Sequence, residues 1–271
     1  MEVAKGVEKK VSELGGPDAK VTVVSNSYDL NIQIKQIDDF IAAGMQMIVL
    51  NAADPEGILT AVMRAKQAGI VVIAVDVAAE GADATIMSDN RQAGRVACEY
   101  MAERLNGKGD VVIINGPPVS SVIARVAGCK SVLNKYPAIR ILSDNRNGGG
   151  TRSGGLAVMT ALLIAYPQID GVFAINDPSA IGADLSARQA QRDEFFIVSV
   201  DGAPSAIETL KSEDSLIAAT AAQDPRLMAM RAVEIGYGLM NGINPDQDRI
   251  LIPTPLVTRE NVHQYQGWMA K

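Results

Sequence analysis

The chain holds a single histidine, His263, and two cysteines, Cys98 and Cys129, in 271 residues. With one imidazole near the C-terminus, no His/Cys/Asp group has zinc-ligand spacing. No Ser-His-Asp or Cys-His arrangement is compelling, and the GxSxG elbow does not occur. Neither cysteine sits in a CxxC pair or beside the histidine, so redox and metal motifs have no support. Both cysteines fall in predicted helices flanking a strand at 110–115. A disulfide suited to an oxidising compartment and two buried free thiols are equally open readings there. Positive charge is also short: 25 Lys and Arg stand against 31 Asp and Glu, for a net charge of −6 and a pI near 4.9. That balance argues against nucleic-acid binding, and no basic run marks a membrane surface. The longest uncharged apolar stretch, near Gly154–Ile169, is short for a membrane span and is broken by Tyr166-Pro167. The opening MEVAKGVEKK is charged and amphipathic, without an apolar signal core, so the chain is expected to carry no export address of its own. The glycine-rich stretch Gly148–Gly155 fails both phosphate-loop patterns. Ser153 stands at the third glycine position of one, and Gly155 stands where the other requires Lys. It reads as a turn before a helix, and neither a cofactor nor a metal is implied.

What is present is a repeat. Residues 44–76, GMQMIVLNAADPEGILTAVMRAKQAGIVVIAVD, align without a gap to residues 169–201, IDGVFAINDPSAIGADLSARQAQRDEFFIVSVD. Each block runs apolar strand, Asn, Asp-Pro, helix, apolar strand, Asp. Asn51 to Asp76 spans 25 positions (76 − 51), as does Asn176 to Asp201 (201 − 176). In such sheets ligands bind at the C-terminal strand ends, which is where these four residues fall.

Short apolar runs alternate with amphipathic stretches along the whole chain. The pattern predicts strands near 20–25, 46–51, 70–76, 84–88, 110–115, 139–143, 171–176, 195–201, 217–222 and 249–253. Helices are predicted near 2–14, 31–43, 55–68, 90–106, 119–135, 152–166, 178–191, 204–212 and 224–241. This alternation implies parallel sheets built from βαβ units, and near-continuous Val/Ile strands imply cover on both faces. Asp54-Pro55, Asp177-Pro178 and Asp224-Pro225 read as helix N-caps followed by Pro in the first turn. On that reading Asn51 and Asn176 are left over, for a ligand or for turn and packing duty. Asp76 and Asp201 end rigid strands and can each accept two adjacent hydroxyls, whereas an Asn both donates and accepts. Arg125 lies on an otherwise apolar helix and needs a partner, which a ligand or an Asp could supply. Gln223 is a further amide at a strand end. By internal symmetry a strand is expected ahead of the helix at 2–14, in the place that 110–115 takes in the second half.

Taken together, LNAADP, IAVD, SDNRQAG, ARVAGCK, FAINDPSAIGA, VSVDGAP, AATAAQDP and IPTPLVTRENV resemble the periplasmic sugar-binding proteins of bacterial ABC importers, in the ribose-type branch. These share their fold with the effector domains of LacI-type repressors. The resemblance covers nearly the whole chain. It implies an α/β fold of two similar, doubly wound parallel-sheet lobes joined by a three-crossing hinge, the type I periplasmic binding fold. One lobe would hold 1–88 and 224–252 and lack its first strand; the other would hold 89–223 and 253–271. The crossings would fall near Asp89, Gln223 and Pro253, with Asp89 as a hinge residue. The matching sugar-binding positions are Asn51, Asp76, Arg125, Asn176, Asp201 and Gln223. The implied function is capture of a monosaccharide or polyol between two closing lobes. The chain would be a periplasmic monomer that delivers its ligand to ABC transporter membrane subunits; it would be no enzyme and bind no nucleic acid.

Three family features are absent. The chain lacks the opening strand with its Asn-Pro and aromatic segment, Val77 follows Asp76 where ribose binders have Arg, and Gly150 stands where they often have an aromatic. The expected ligand is therefore not specifically ribose. Alternative readings are a ligand-sensing effector domain of a LacI-type regulator, although no helix-turn-helix precedes the core, and a truncated form that folds without binding.

Overall fold

The computed structural model describes residues 2–16, 18–27, 29–265 and 267–269. In chain order the elements begin α1 (Glu2–Gly15), α2 (Leu30–Ala42), β1 (Met47–Leu50), α3 (Leu59–Gln67), β2 (Val71–Val75) and β3 (Ala84–Ser88). They continue α4 (Asn90–Arg104), β4 (Lys108–Asn115), α5 (Ser120–Leu133), β5 (Ala138–Asn147), α6 (Arg152–Ala165), β6 (Gly171–Ala174), α7 (Asp177–Gln189) and β7 (Phe196–Asp201). The remainder is α8 (Pro204–Lys211), β8 (Ile217–Ala222), α9 (Pro225–Met240), β9 (Arg249–Ile252), β10 (Leu256–Thr258) and two single 3-10 turns. By its internal contacts the chain divides into two compact units, Met1–Ser88 with Asp224–Ile252, and Asp89–Gln223 with Pro253–Lys271.

In the first unit the strand order is β1-β2-β3-β9, all parallel. Alternate side chains of β1 and β2 face opposite ways, as strand geometry requires. Ile48, Leu50, Val72 and Ala74 pack under Ile37 of α2 and Ala61, Val62 and Ala65 of α3. Ile73, Val75 and Ile86 meet Met228 and Ala232 of α9 on the other face. Cover on both faces is why these strands read as continuous apolar runs.

The second unit has the order β10-β8-β7-β6-β4-β5, parallel except for the antiparallel β10. Helices α4 and α5 cover one face, where Cys98, Met101, Cys129 and Leu133 meet Val111, Ile113, Phe173 and Val198. Helices α6, α7 and α8 cover the other through Met159, Leu162, Ala183 and Leu210. Both sheets are therefore the doubly wound parallel kind that the βα alternation implies.

Helices α4 and α5 cross closely because glycines stand at the contact. A Cβ on Gly94 would lie 1.9 Å from the Arg125 carbonyl oxygen, and one on Gly128 would lie 2.1 Å from that of Arg91. At this crossing Cys98 and Cys129 form a disulfide, with Cα atoms 5.1 Å apart across a sequence separation of 31. The structure thus selects the disulfide over two thiols. Closing a loop of this size restricts the unfolded chain, so Cys98→Ser with Cys129→Ser should lose about 3 kcal/mol of stability in denaturant titration. Reduction of the unmutated protein should give a similar loss.

Two expectations are corrected here. The run at 20–25 forms no ladder, and Val23 and Val24 are 55% and 48% exposed. An apolar run becomes a strand only beside a strand that can pair with it, and no described strand lies next to this one. The helix predicted from 55 starts at Leu59 instead, because the Asp54 carboxylate accepts from the amides of Glu56 and Gly57 and holds a turn there.

Candidate functional site

The repeat in sequence is a repeat in backbone shape. Asp76 follows β2 with φ +68°, and Asp201 ends β7 with φ +136°. Non-glycine residues rarely adopt this region, and each such residue costs on the order of 1–3 kcal/mol unless its surroundings hold it. Both carboxylates are thus fixed at the C-terminal end of a buried strand, where a doubly wound sheet presents its ligand-binding edge.

In the first unit Asn51 donates from Nδ2 to Asp76 Oδ2 at 3.3 Å. The loop carrying Asn51 is braced by buried Gln33, whose Nε2 donates to the Asn51 carbonyl at 2.8 Å while its Oε1 accepts from the Ala53 amide at 2.8 Å. Asn51 itself is exposed, and its side-chain oxygen accepts from no described residue. The first unit therefore brings two of the sequence-chosen residues together as a polar pair. Gln33 was missed, although a Gln among the apolar positions of α2 is a visible signal.

In the second unit Asp201, Arg125 and Gln223 form one cluster. Arg125 Nη1 donates to Asp201 Oδ1 at 3.0 Å and to the Ile175 carbonyl at 2.9 Å, and Nε donates to Asn90 Oδ1 at 2.8 Å. Gln223 Nε2 donates to the same Asp201 oxygen at 2.8 Å. Arg125 is 6% exposed, so the partner that the sequence demanded is present. Its Nη2 makes no hydrogen bond to a described residue, which leaves part of the guanidinium fork for a ligand oxygen. Burial pushes the Asp201 carboxyl above the usual carboxylate range, while the Arg125 charge pulls it back.

Asn176 is used differently from the reading in which Asp177 caps the helix. Asn176 is the N-cap of α7: its Oδ1 accepts from the Ser179 amide at 3.1 Å, and its Nδ2 donates to the Gly150 carbonyl at 2.8 Å. Asn and Asp cap about equally well, and Pro at the second helical position leaves either register open. The second N–H of the Asn176 amide makes no hydrogen bond to a described residue. Asp89 caps α4 by accepting from the Gln92 amide. Asp224 caps α9 in the predicted way.

Asp177, displaced from the cap, is fully buried. Its Oδ1 accepts from Ser199 Oγ at 2.6 Å and Thr220 Oγ1 at 2.7 Å, and its Oδ2 accepts from the Ala203 amide at 2.7 Å. It therefore ties β7, β8 and the turn after Asp201 together. Thr220 Oγ1 also accepts from the Gly202 amide at 3.1 Å, and Trp268 donates its Nε1 to the Asp201 carbonyl at 3.1 Å. Burial first, then the nearby Asp201 charge, pushes the Asp177 carboxyl up to about 7. Sequence reading missed this network. Its signal was the lone hydroxyl in each of two apolar strands, VSV and ATA, which must find a buried partner.

Among the described residues no group of three or more His, Cys, Asp or Glu lies together to hold a metal ion, and no helix is long and apolar enough to cross a membrane. What the arrangement offers is a set of rigid acceptors beside oriented donors, suited to neutral hydroxyls.

Residues 1–244 match the family described as periplasmic binding protein domain. The ribose import binding protein of Bacillus subtilis is 29% identical over 94% of this chain and 82% of its own length. The xylitol-binding protein of Mycolicibacterium smegmatis is 31% identical over 88% of this chain and 68% of its own length. Among solved structures, an ABC transporter periplasmic solute binding protein of Actinobacillus succinogenes with bound D-allose is similar at a TM-score of 0.87 and 25% identity, covering 97% of this chain and 94% of that one. The chain, with its two doubly wound units and polar strand ends, belongs to the periplasmic binding protein family.

Proposed function

We propose that this protein is the periplasmic substrate-binding component of an ABC-type importer and captures a monosaccharide or a polyol. The observation that carries the reading is the Asp201 cluster: one carboxylate on a fixed positive-φ residue, flanked by Arg125 and Gln223. The Asn51–Asp76 pair repeats that design in the first unit. The relatives support the ligand class, since their names and bound molecules are ribose, xylitol and D-allose. In this reading Asn51 and Asp76 bind from the first unit, and Arg125, Asn176, Asp201 and Gln223 from the second. Hinge motion at the three chain crossings lets one ligand satisfy both sets, and ligand selects the closed form. The closed form then docks on the membrane subunits of the transporter.

A ligand held only by the folded state raises stability by mass action, by about 2.7 kcal/mol at a hundredfold excess over Kd. A thermal-shift panel of ribose, allose, xylitol, myo-inositol and glucose at millimolar concentration should therefore give a rise of roughly 5 °C for at least one compound. No shift with any sugar or polyol would overturn the proposal.

A further inference from the structure

Asp201 and Gly202 are successive residues with positive φ, +136° and +67°. Only glycine adopts this region freely, so the turn must be held by its surroundings. Its backbone groups show what holds it. The Asp201 carbonyl accepts from the Gln223 amide at 2.9 Å, the Gly202 amide donates to Thr220 Oγ1 at 3.1 Å, and the Ala203 amide donates to Asp177 Oδ2 at 2.7 Å. Those partners lie on α7, on β8 and just after β8. Two further bonds come from the chain beyond β10. Trp268 Nε1 donates to the Asp201 carbonyl at 3.1 Å, and Tyr265 Oη donates to the Gly202 carbonyl at 3.2 Å.

This late segment is itself anchored. Asn261 Oδ1 accepts from the Thr258 amide while its Nδ2 donates to the Leu256 carbonyl, which ties the segment to β10. Val262 is buried, and Tyr265 packs on the apolar cluster that holds Ile207, Leu210 and Ala222. Helix α8 touches both single turns, Val262–Gln264 and Gly267–Met269. The fit on Gly202 is close: a Cβ there would lie 2.7 Å from Tyr265 Oη and 2.6 Å from the Ala222 Cβ. Glycine is thus required twice at 202, for its φ and for the approach of the tyrosine hydroxyl. The first unit holds Asp76 in another way. The Asp76 amide donates to the Ile86 carbonyl at 2.9 Å, and the Val77 amide donates to the Val75 carbonyl at 2.8 Å.

We infer that Tyr265 and Trp268 are positioning residues for ligand binding: by gripping the two carbonyls of the Asp201–Gly202 turn, they keep the Asp201 carboxylate in the place where it accepts a ligand hydroxyl. A carbonyl that loses its donor is free to turn its peptide plane, and the Asp201 Cα turns with it. The inference rests on the proposed role of Asp201 in binding.

Tyr265→Phe and Trp268→Phe, singly and together, remove the donors and keep an aromatic ring at each place. Amide hydrogen exchange read by NMR needs no ligand. In the double variant it should speed up about tenfold at Gly202 and Ala203 and stay unchanged at Asp76 and Val77. Calorimetric titration with ribose, allose, xylitol, myo-inositol and glucose should show each single variant binding about fivefold more weakly than the unmutated protein, and the double variant at least about tenfold. A merely structural role would lower the urea midpoint read by circular dichroism and leave the affinity of the folded protein unchanged, which overturns the inference. Unchanged exchange at Gly202 and Ala203 also overturns it. Asp201→Asn separates the two readings. If that variant binds weakly while the double Phe variant binds like the unmutated protein, the positioning role alone fails. If neither variant loses affinity, the role of Asp201 fails and the positioning role with it.

Discussion

Asp201→Ala should destabilise the second unit by about 3–5 kcal/mol, because it leaves the Arg125 guanidinium buried without its counter-charge. The Arg125 and Asp201 side chains are only 8% and 14% exposed, and their 3.0 Å pair is embedded among Asn90, the Ile175 carbonyl and Gln223. The loss comes from the orphaned charge rather than from the net worth of the pair. Arg125→Met combined with Asp201→Leu should therefore recover most of it, while Arg125→Met alone leaves an unpaired carboxylate and does not. Trp268 is the only tryptophan and touches the Asp201 carbonyl, so its fluorescence in urea reports this unit directly. Additive losses in the double variant would show that the two side chains are energetically independent. Asp201→Asn keeps an acceptor for Arg125 and Gln223, which makes it the better probe of binding.

Asp177 should govern stability with a sign opposite to that of an ordinary ion-paired carboxylate. Its folded pKa is raised to about 7 from the usual 3.8, first by burial and then by the Asp201 charge. The folded state therefore holds this proton more tightly than the unfolded chain. The stabilisation is fully present below the unfolded value and is lost as pH rises toward about 7. The lowered carboxylates Glu194 and Glu260 act the other way, and below their ordinary value of 4.5. Between pH 5 and 7 the urea midpoint should thus fall as pH rises. Asp177→Asn should flatten that slope, since a neutral amide can still accept from Ala203 and donate to the two hydroxyls. Asp177→Ala strands two buried hydroxyls and the half-buried Ala203 amide and should cost about 4 kcal/mol. A midpoint that rises from pH 5 to 7 in the unmutated protein, with the same rise in Asp177→Asn, would remove this role.

The βα alternation announces the architecture because each period has a physical cause. Val/Ile runs mark strands covered on both faces, and Asp-Pro marks a helix start. The signals fail where the outcome depends on something distant in sequence. The run at 20–25 has strand composition, but no described strand pairs with it. Asn176 and Asp177 both cap well, and only the burial of Ser199 and Thr220 makes Asp177 turn inward. Cys98 and Cys129 pair because Gly94 and Gly128 let two helices approach, which spacing alone does not reveal. Of the six proposed ligand residues, five are joined to one another by the fold, Asn51 with Asp76, and Arg125 and Gln223 with Asp201. Asn176 also works as a cap, a duty that sequence reasoning had given to its neighbour.

The most direct measurement is a calorimetric titration of the panel compound with the largest thermal shift into the unmutated protein, Asp76→Asn and Asp201→Asn. If both repeats hold the ligand, each variant remains folded and binds at least about tenfold more weakly, since each loses a charged acceptor for hydroxyls. Unchanged affinity in both variants would contradict a hydroxyl-binding role for the paired strand-end carboxylates.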